Sequence, residues 1–191
     1  MRIGVLALQG DFLEHRRKLE GVDAEAVEVR LPEDLEALDA LIIPGGESTT
    51  IGKLAVKYGL VEPIKAFAAQ KPVWGTCAGM IFLAKDIGRE QPLLGLMDIK
   101  VNRNAFGRQR DSFETDLEIS RLDGGPLHAV FIRAPLVTEV DGNAGVEILA
   151  RLDDGGIVAV QQKHLLATAF HPELTDDTRL HKYFVAMIQT S

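Results

Sequence analysis

Three apolar runs, each cut off by a glycine-containing turn, constrain this 191-residue chain more than any other feature. Ile3 to Leu8 is continuous and stops at Gln9-Gly10. Leu38 to Ile43 stops at Pro44-Gly45-Gly46, and Pro72 to Gly75 runs into Thr76-Cys77-Ala78-Gly79. A strand that is apolar throughout needs cover on both faces, which is the habit of parallel sheets in α/β proteins. Helical segments lie between the runs. Asp11 to Glu20 carries Phe12 and Leu19 inward and charges outward. Another runs from a cap at Ser48 or Thr49 to about Tyr58, a third from Val61 to Gln70, and a fourth from Met80 to Lys85. With an alternating strand over Ala24 to Arg30, the first 85 residues predict an open, mostly parallel sheet with helices on both faces.

The second half reads differently. Ile99–Asn102, Phe113–Ile119, Ala129–Ile132, Val146–Leu152, Ile157–Gln161 and Leu165–Phe170 read as strands. Turn signals separate them at Asp123-Gly124-Gly125, Asp141-Gly142-Asn143 and Asp153-Asp154-Gly155-Gly156, the last being a hairpin signature. A final helix is expected over Asp176 to Gln189, with Thr175 as its cap. With no linker or repeat, residues 1–191 are expected to form a single α/β domain with antiparallel strands added late.

Charge and cysteine count exclude several functions. The formal net charge is −7, and the densest basic cluster, His15-Arg16-Arg17-Lys18, has acids on either side. It reads as a solvated helix face, so no nucleic-acid partner is expected. No apolar stretch reaches the roughly 18 residues a membrane span needs. The N-terminal apolar run is too short for a signal peptide, so a cytoplasmic location is the default expectation. One cysteine rules out an intramolecular disulfide framework and any zinc site built on several cysteines.

That one cysteine sits in Gly75-Thr76-Cys77-Ala78-Gly79, a Gly-x-Cys-x-Gly turn between a short apolar strand and a helix. This is the nucleophile-elbow pattern with sulfur in place of oxygen. The turn is tight enough that residues two before and two after the nucleophile must lack bulk. It would lift the sulfur above the strand ends at a helix N-terminus, where the dipole favours thiolate. The N–H of Ala78 would face the oxyanion formed on attack. A buried packing cysteine is the alternative for a lone residue of this type.

Such a nucleophile needs a base. His15 and His181 fall in expected helices, and His128 and His164 near turns; all four read as exposed. His171 differs: in Phe170-His171-Pro172-Glu173-Leu174 it closes an apolar strand, with Glu173 two residues on to orient its ring. The Pro44-Gly45-Gly46-Glu47-Ser48-Thr49 loop also follows a strand end, where open parallel sheets bind ligands. Gly46 is the candidate second oxyanion donor, and the helix that follows could hold a carboxylate. The loop lacks the Gly-Lys-Ser/Thr ending of a nucleotide-binding loop.

Together these motifs resemble the class I, triad-type glutamine amidotransferases, whose fold is flavodoxin-like. The chain is more closely similar to the glutaminase subunits of pyridoxal 5'-phosphate synthases. That resemblance rests on Leu8-Gln9-Gly10 with Glu14-His15, Gly45-Gly46-Glu47-Ser48-Thr49-Thr50 and the cysteine turn. It extends through Arg103-Asn104-Ala105-Phe106-Gly107-Arg108-Gln109, Asp111-Ser112-Phe113-Glu114, Phe131-Ile132-Arg133-Ala134-Pro135 and Phe170-His171-Pro172-Glu173-Leu174. The resemblance implies a Cys77, His171 and Glu173 triad. It also implies glutamine contacts from Gly46, Glu47, Ser48, Arg103, Ile132 and Arg133. An arginine at 103 or 133 could hold the α-carboxylate of glutamine or bolster the loops that do.

The activity so implied is hydrolysis of L-glutamine to glutamate and ammonia through a cysteine thioester, with no cofactor and no metal. The implied partner is a (β/α)₈-barrel synthase subunit that consumes the ammonia in making pyridoxal 5'-phosphate (vitamin B6), within a hetero-oligomer. The resemblance also makes glutaminase activity depend on docking, and a peptide flip at Gly45-Gly46 is the expected device. Two alternatives remain at this point: a glutaminase serving a histidine or purine synthase, and a non-catalytic module that keeps the fold.

Overall fold

A computed structural model describes residues 1–103, 105–106 and 112–189. Its centre is a parallel sheet. Strands β1 (Arg2–Leu6), β2 (Glu25–Val29), β3 (Ala40–Ile43) and β4 (Val73–Thr76) pair parallel in the order β2-β1-β3-β4. The late strand β12 (Leu165–Thr168) then joins β4, also parallel. Every residue of β3, β4 and β12 is buried, as their unbroken apolar sequences require. The sheet continues through antiparallel neighbours. These are β11 (Ile157–Gln162), β10 (Val146–Arg151), β9 (Leu136–Val140) and β6 (Met97–Asn102), with β5 (Ala84–Asp86) parallel at the far edge. A separate antiparallel pair, β7 (Ser112–Leu117) with β8 (Leu127–Ile132), brings Ile132 to the cleft described below.

Helices lie on both faces, as the strand–helix alternation predicts. Helix α1 (Phe12–Glu20) and α5 (Arg179–Gln189) share one face, where His15 Nδ1 meets His181 Nε2 at 3.2 Å. Helices α2 (Ser48–Lys57) and α4 (Ala78–Leu83) pack together on the other, and α3 (Val61–Ala68) precedes β4. Strand β4 shows how one short segment serves both. Trp74 and Thr76 point to the α1/α5 face, where Trp74 packs against His15, His181 and Phe184. Gly75 points the opposite way, and a Cβ there would come within 2.5 Å of the Gly79 backbone.

Some boundaries differ from the sequence reading, each for a local reason. The cap of α2 is Glu47 rather than Ser48 or Thr49: its carboxylate accepts the N–H groups of Thr49 and Thr50. Helix α4 stops at Leu83, because Ala84 turns extended to pair with Met97. Helix α5 starts at Arg179, not beside Thr175. A short 3₁₀ turn over Pro172–Leu174 leaves Thr175 extended, and the Asp177 carboxylate takes the Arg179 N–H. Strand β9 has no clear signal in the sequence because Leu136–Val140 is short and only weakly alternating; the hairpin signalled at Asp153 to Gly156 is present between β10 and β11.

The chain passes from β1 to β2 on one side and then to β3 on the other, so the strand order reverses at β1 and β3. Crevices at such reversals, beyond the carboxyl ends of the strands, are where open α/β sheets bind ligands. Here the turns after β1 and β3 touch: Asp11 N–H donates to Gly45 O at 3.2 Å. A Cβ on Gly10, whose φ is +98°, would come within 1.7 Å of that same oxygen.

Candidate active site

Cys77 follows β4 and opens α4 with φ +47° and ψ −103°. A non-glycine residue in this region stores strain, as nucleophile elbows do. The chain cannot relax outward because Gly75 and Gly79 let β4, α4 and β3 close on one another. A Cβ on Gly79 would sit 2.0 Å from Ile43 O. Cys77 N–H donates to Thr168 O at 2.8 Å, which ties the turn to β12.

That tie explains how residues about 94 positions apart meet. Thr76 and Thr168 are opposite one another in the β4–β12 ladder, so both chains leave the sheet at the same end. Three residues later β12 delivers His171, itself held by its N–H to Val130 O at 2.8 Å. His171 Nδ1 lies 2.6 Å from Glu173 Oε1 and 3.5 Å from Asp11 Oδ2. Burial pulls the His171 pKa down, but hydrogen bonds to Cys77 and Glu173 and their charges outweigh it and hold it up at about 10. Glu173 is buried, which pushes its pKa up against the pull of His171. The sulfur itself lies 3.9 Å from Ile132 O.

A cleft of about 570 Å³ opens over this group. Gly46, Glu47, Ser48, Cys77, Ala78, Arg103, Ile132, Arg133 and His171 line it, and Glu173 lies behind His171. Gln9, Asp11 and Ile81 line it too, and the sequence reading gave none of them a role in the site. Gln9 is a fixture of the glycine loop: its Oε1 accepts Glu47 N–H at 2.7 Å, and a Cβ on Gly46 (φ +147°) would approach it to 2.5 Å. Arg103 supports the same loop, reaching Glu47 Oε1 at 3.1 Å, Gln91 Oε1 at 2.9 Å and Thr49 Oγ1 at 3.3 Å. Burial pushes the Glu47 carboxyl up, yet the Thr50 hydroxyl and the Thr49 and Thr50 N–H groups hold it at about 2, so it is an anion throughout the physiological range. Arg133 occupies a left-handed conformation, φ +46°, at the exposed rim. Asn104, Gly107, Arg108, Gln109 and Asp111 lie outside the described residues.

Asp11, His171 and Glu173 could each present one ligand atom to a metal, all within 4.8 Å of one another. The ring nitrogen involved already carries the short bond to Glu173, so the two carboxylates serve better as partners for an imidazolium.

Two histidines expected on the surface are fully buried. His15 falls between Phe12 and Leu19 on the inward stripe of α1, at the i+3 position, and this spacing was the available signal. Its Nε2 lies 3.1 Å from Thr76 Oγ1. The basic cluster is thus a solvated face only in part. Burial holds His15 well below its ordinary pKa, helped by His181 and His171; burial, then Lys18, holds His181 at about 3.

A depressed histidine pKa has a definite sign in stability. Below 6.5 the unfolded chain takes up protons that folded His181 refuses, so stability falls with pH between 6.5 and about 3. At about 1.4 kcal/mol per pH unit, His181 alone accounts for a loss of about 5 kcal/mol across that window. Urea unfolding measured from pH 7 to 4 should show this slope in the wild type and a flatter one in His181→Gln. Parallel slopes would discard the assignment.

The profile of the SNO glutamine amidotransferase family matches residues 5–190. The chain is 60% identical to the pyridoxal 5'-phosphate synthase subunit PdxT of Herpetosiphon aurantiacus, over 98% of this chain and 100% of that one. It superposes with a TM-score of 0.92 on a crystal structure of a glutamine amidotransferase, 52% identical, covering 98% of each chain. The structure of PurLQS from Thermotoga maritima shares the fold at a TM-score of 0.73 and 16% identity, with 97% of each chain covered.

Proposed function

The chain belongs to the SNO glutamine amidotransferase family, and from that premise we propose that it hydrolyses L-glutamine and passes the ammonia to a pyridoxal 5'-phosphate synthase. The observation that carries the proposal is the strained Cys77 turn sharing one cleft with His171, whose Nδ1 is 2.6 Å from Glu173 Oε1. Residues 1–191 act as one glutamine amidotransferase domain, with Cys77 as nucleophile, His171 as acid and base, and Glu173 as orienter. None of its described helices is long and apolar enough to cross a membrane, and we place the chain in the cytoplasm.

Glutamine enters the cleft with its side-chain amide toward Cys77. Arg133, Ser48 and the Glu47 carboxylate face its α-groups, while Arg103 braces Glu47. The Cys77 thiolate attacks the amide carbon, and the N–H groups of Gly46 and Ala78 hold the developing oxyanion. His171 gives its proton to the departing ammonia, leaving a glutamyl thioester. Now neutral, His171 takes a proton from water as the water attacks the thioester; the C–S bond breaks, glutamate leaves with its new carboxyl proton lost to solvent, and the thiolate–imidazolium pair is restored.

Free ammonia is mostly protonated at neutral pH and no longer nucleophilic, so delivery inside a complex is the chemically sensible arrangement. The partner is a (β/α)₈-barrel synthase subunit. Docking completes the oxyanion hole by turning the Gly45–Gly46 peptide, which only glycine at Gly46 (φ +147°) allows without strain. The 60% identical relative is a pyridoxal 5'-phosphate synthase subunit, which favours this partner over a histidine or purine synthase. Ammonia release from glutamine should rise about 100- to 1000-fold when the synthase subunit is added, the size of effect that one misplaced oxyanion donor produces. Equal rates with and without it would remove the docking requirement, and no release in either state would remove the glutaminase reading.

A further inference from the structure

We propose that His15 is a positioning residue of this reaction, its Nε2–H wedged between the Thr76 hydroxyl and the outer oxygen of Glu173. The proposal rests on the assignment of Cys77, His171 and Glu173 as the triad. His15 cannot touch substrate: its side chain is wholly buried and does not line the cleft. It touches instead two groups that flank the chemistry. Nε2 is 3.1 Å from Oγ1 of Thr76, the residue before the nucleophile, and 3.2 Å from Glu173 Oε2.

Glu173 thus sits between two imidazoles, one at each oxygen. Oε1 has the short, aligned bond to His171. Oε2 is buried and lacks an aligned hydrogen-bond partner among the described residues; His15 Nε2 is beside it at ion-pair distance. A buried carboxylate oxygen with nothing opposite it is costly, so the identity of the group beside it matters.

The proton on His15 can be located from its far side. His181 Nδ1 is buried and has no hydrogen-bond partner among the described residues. A bare acceptor is tolerated there better than a stranded N–H, so the His181 proton sits on Nε2 and is donated to His15 Nδ1 at 3.2 Å. His15, neutral because it is buried, then carries its one proton on Nε2, toward Thr76 and Glu173. The reverse tautomer would strand a donor on His181 and turn a lone pair on the Glu173 carboxylate. Edge contacts of both rings with Trp74, at 5.7 and 5.0 Å between centroids, keep them from turning.

The charged neighbours are few. Glu173 faces His171 on its own turn, and Asp11 and His15 from the segment after β1; His181 on α5 faces His15 and feels Lys18. His15 is therefore a neutral side-chain donor placed within ion-pair distance of Glu173 Oε2. Losing it destabilises the carboxylate, so the proton reaches Glu173 at higher pH and the hold on His171 weakens.

The test compares His15→Gln, which can offer an N–H near the Nε2 position, with His15→Leu, which fills space only. Both are assayed for ammonia release in complex with the synthase subunit. His15→Gln should keep kcat within about threefold, with the wild-type pH profile. His15→Leu should lose about 10- to 100-fold in kcat with little change in KM, and the acid limb of its kcat/KM profile should move to higher pH. Equal losses in both variants with an unmoved pH profile would make His15 a mere space-filler and overturn the proposal, as would full activity in His15→Leu. Should His15→Leu not fold, ¹⁵N shifts of the His15 ring in the wild type decide: Nε2–H is expected, and Nδ1–H refutes. A wild-type complex that releases no ammonia would instead sink the glutaminase reading, while the ring shifts still report on His15.

Discussion

Cys77→Ala should abolish glutamine hydrolysis, lowering kcat by roughly 10⁴- to 10⁶-fold even with the synthase subunit bound. The size follows from the chemistry: with no sulfur there is no thioester, and neither His171 nor the oxyanion donors can replace a covalent step. The fold should survive. Alanine keeps the Cβ that already tolerates the strained turn, and the lost atom borders the cleft rather than the packed core. Ammonia release measured beside circular dichroism separates the two effects. A folded Cys77→Ala chain that still turns over glutamine at a tenth of the wild-type rate or faster would end the thioester mechanism.

Gly79→Ala should instead attack the fold. Its Cβ would lie 2.0 Å from Ile43 O and 2.9 Å from Ile43 C, both backbone atoms of the central strand β3. A flexible side chain could swing away; a strand buried on both faces cannot. Relief requires α4 to lift from the sheet, carrying the Cys77 turn with it, at a cost of about 4 kcal/mol or more. For a domain of this size that corresponds to a fall in melting temperature of about 8–16 °C. Gly142→Ala is the matched control. Its Cβ meets nothing within 4 Å and its φ is not positive, so it should stay within about 0.5 kcal/mol of wild type. Equal melting temperatures for the two variants would show that β3 and α4 are not in the contact described.

Much of the fold was legible locally. Continuous apolar runs marked β1, β3, β4 and β12, because a strand covered on both faces must be apolar at every position. The glycines of the cysteine turn were legible for the same sort of reason, since only a residue without a Cβ lets β4 and α4 double back on each other. Caps were less legible. Glu47 is an uncommon cap, chosen here because Arg103 and the Thr49 and Thr50 N–H groups surround its carboxylate.

The sequence by itself singled out the candidate reacting groups: a cysteine in a tight turn flanked by glycines, and a histidine with a carboxylate two residues on. The tertiary structure decided what stands behind them. Strand β12 pairs with β4 rather than with its chain neighbours alone, and this places His171 above Cys77. Helices α1 and α5 share a face, and this buries His15 and His181 and turns one of them toward Glu173. Local pattern can say that a residue faces inward, but not what it will face. That depends on which strands adjoin, a choice made by the summed burial of the whole sheet and not by any one segment.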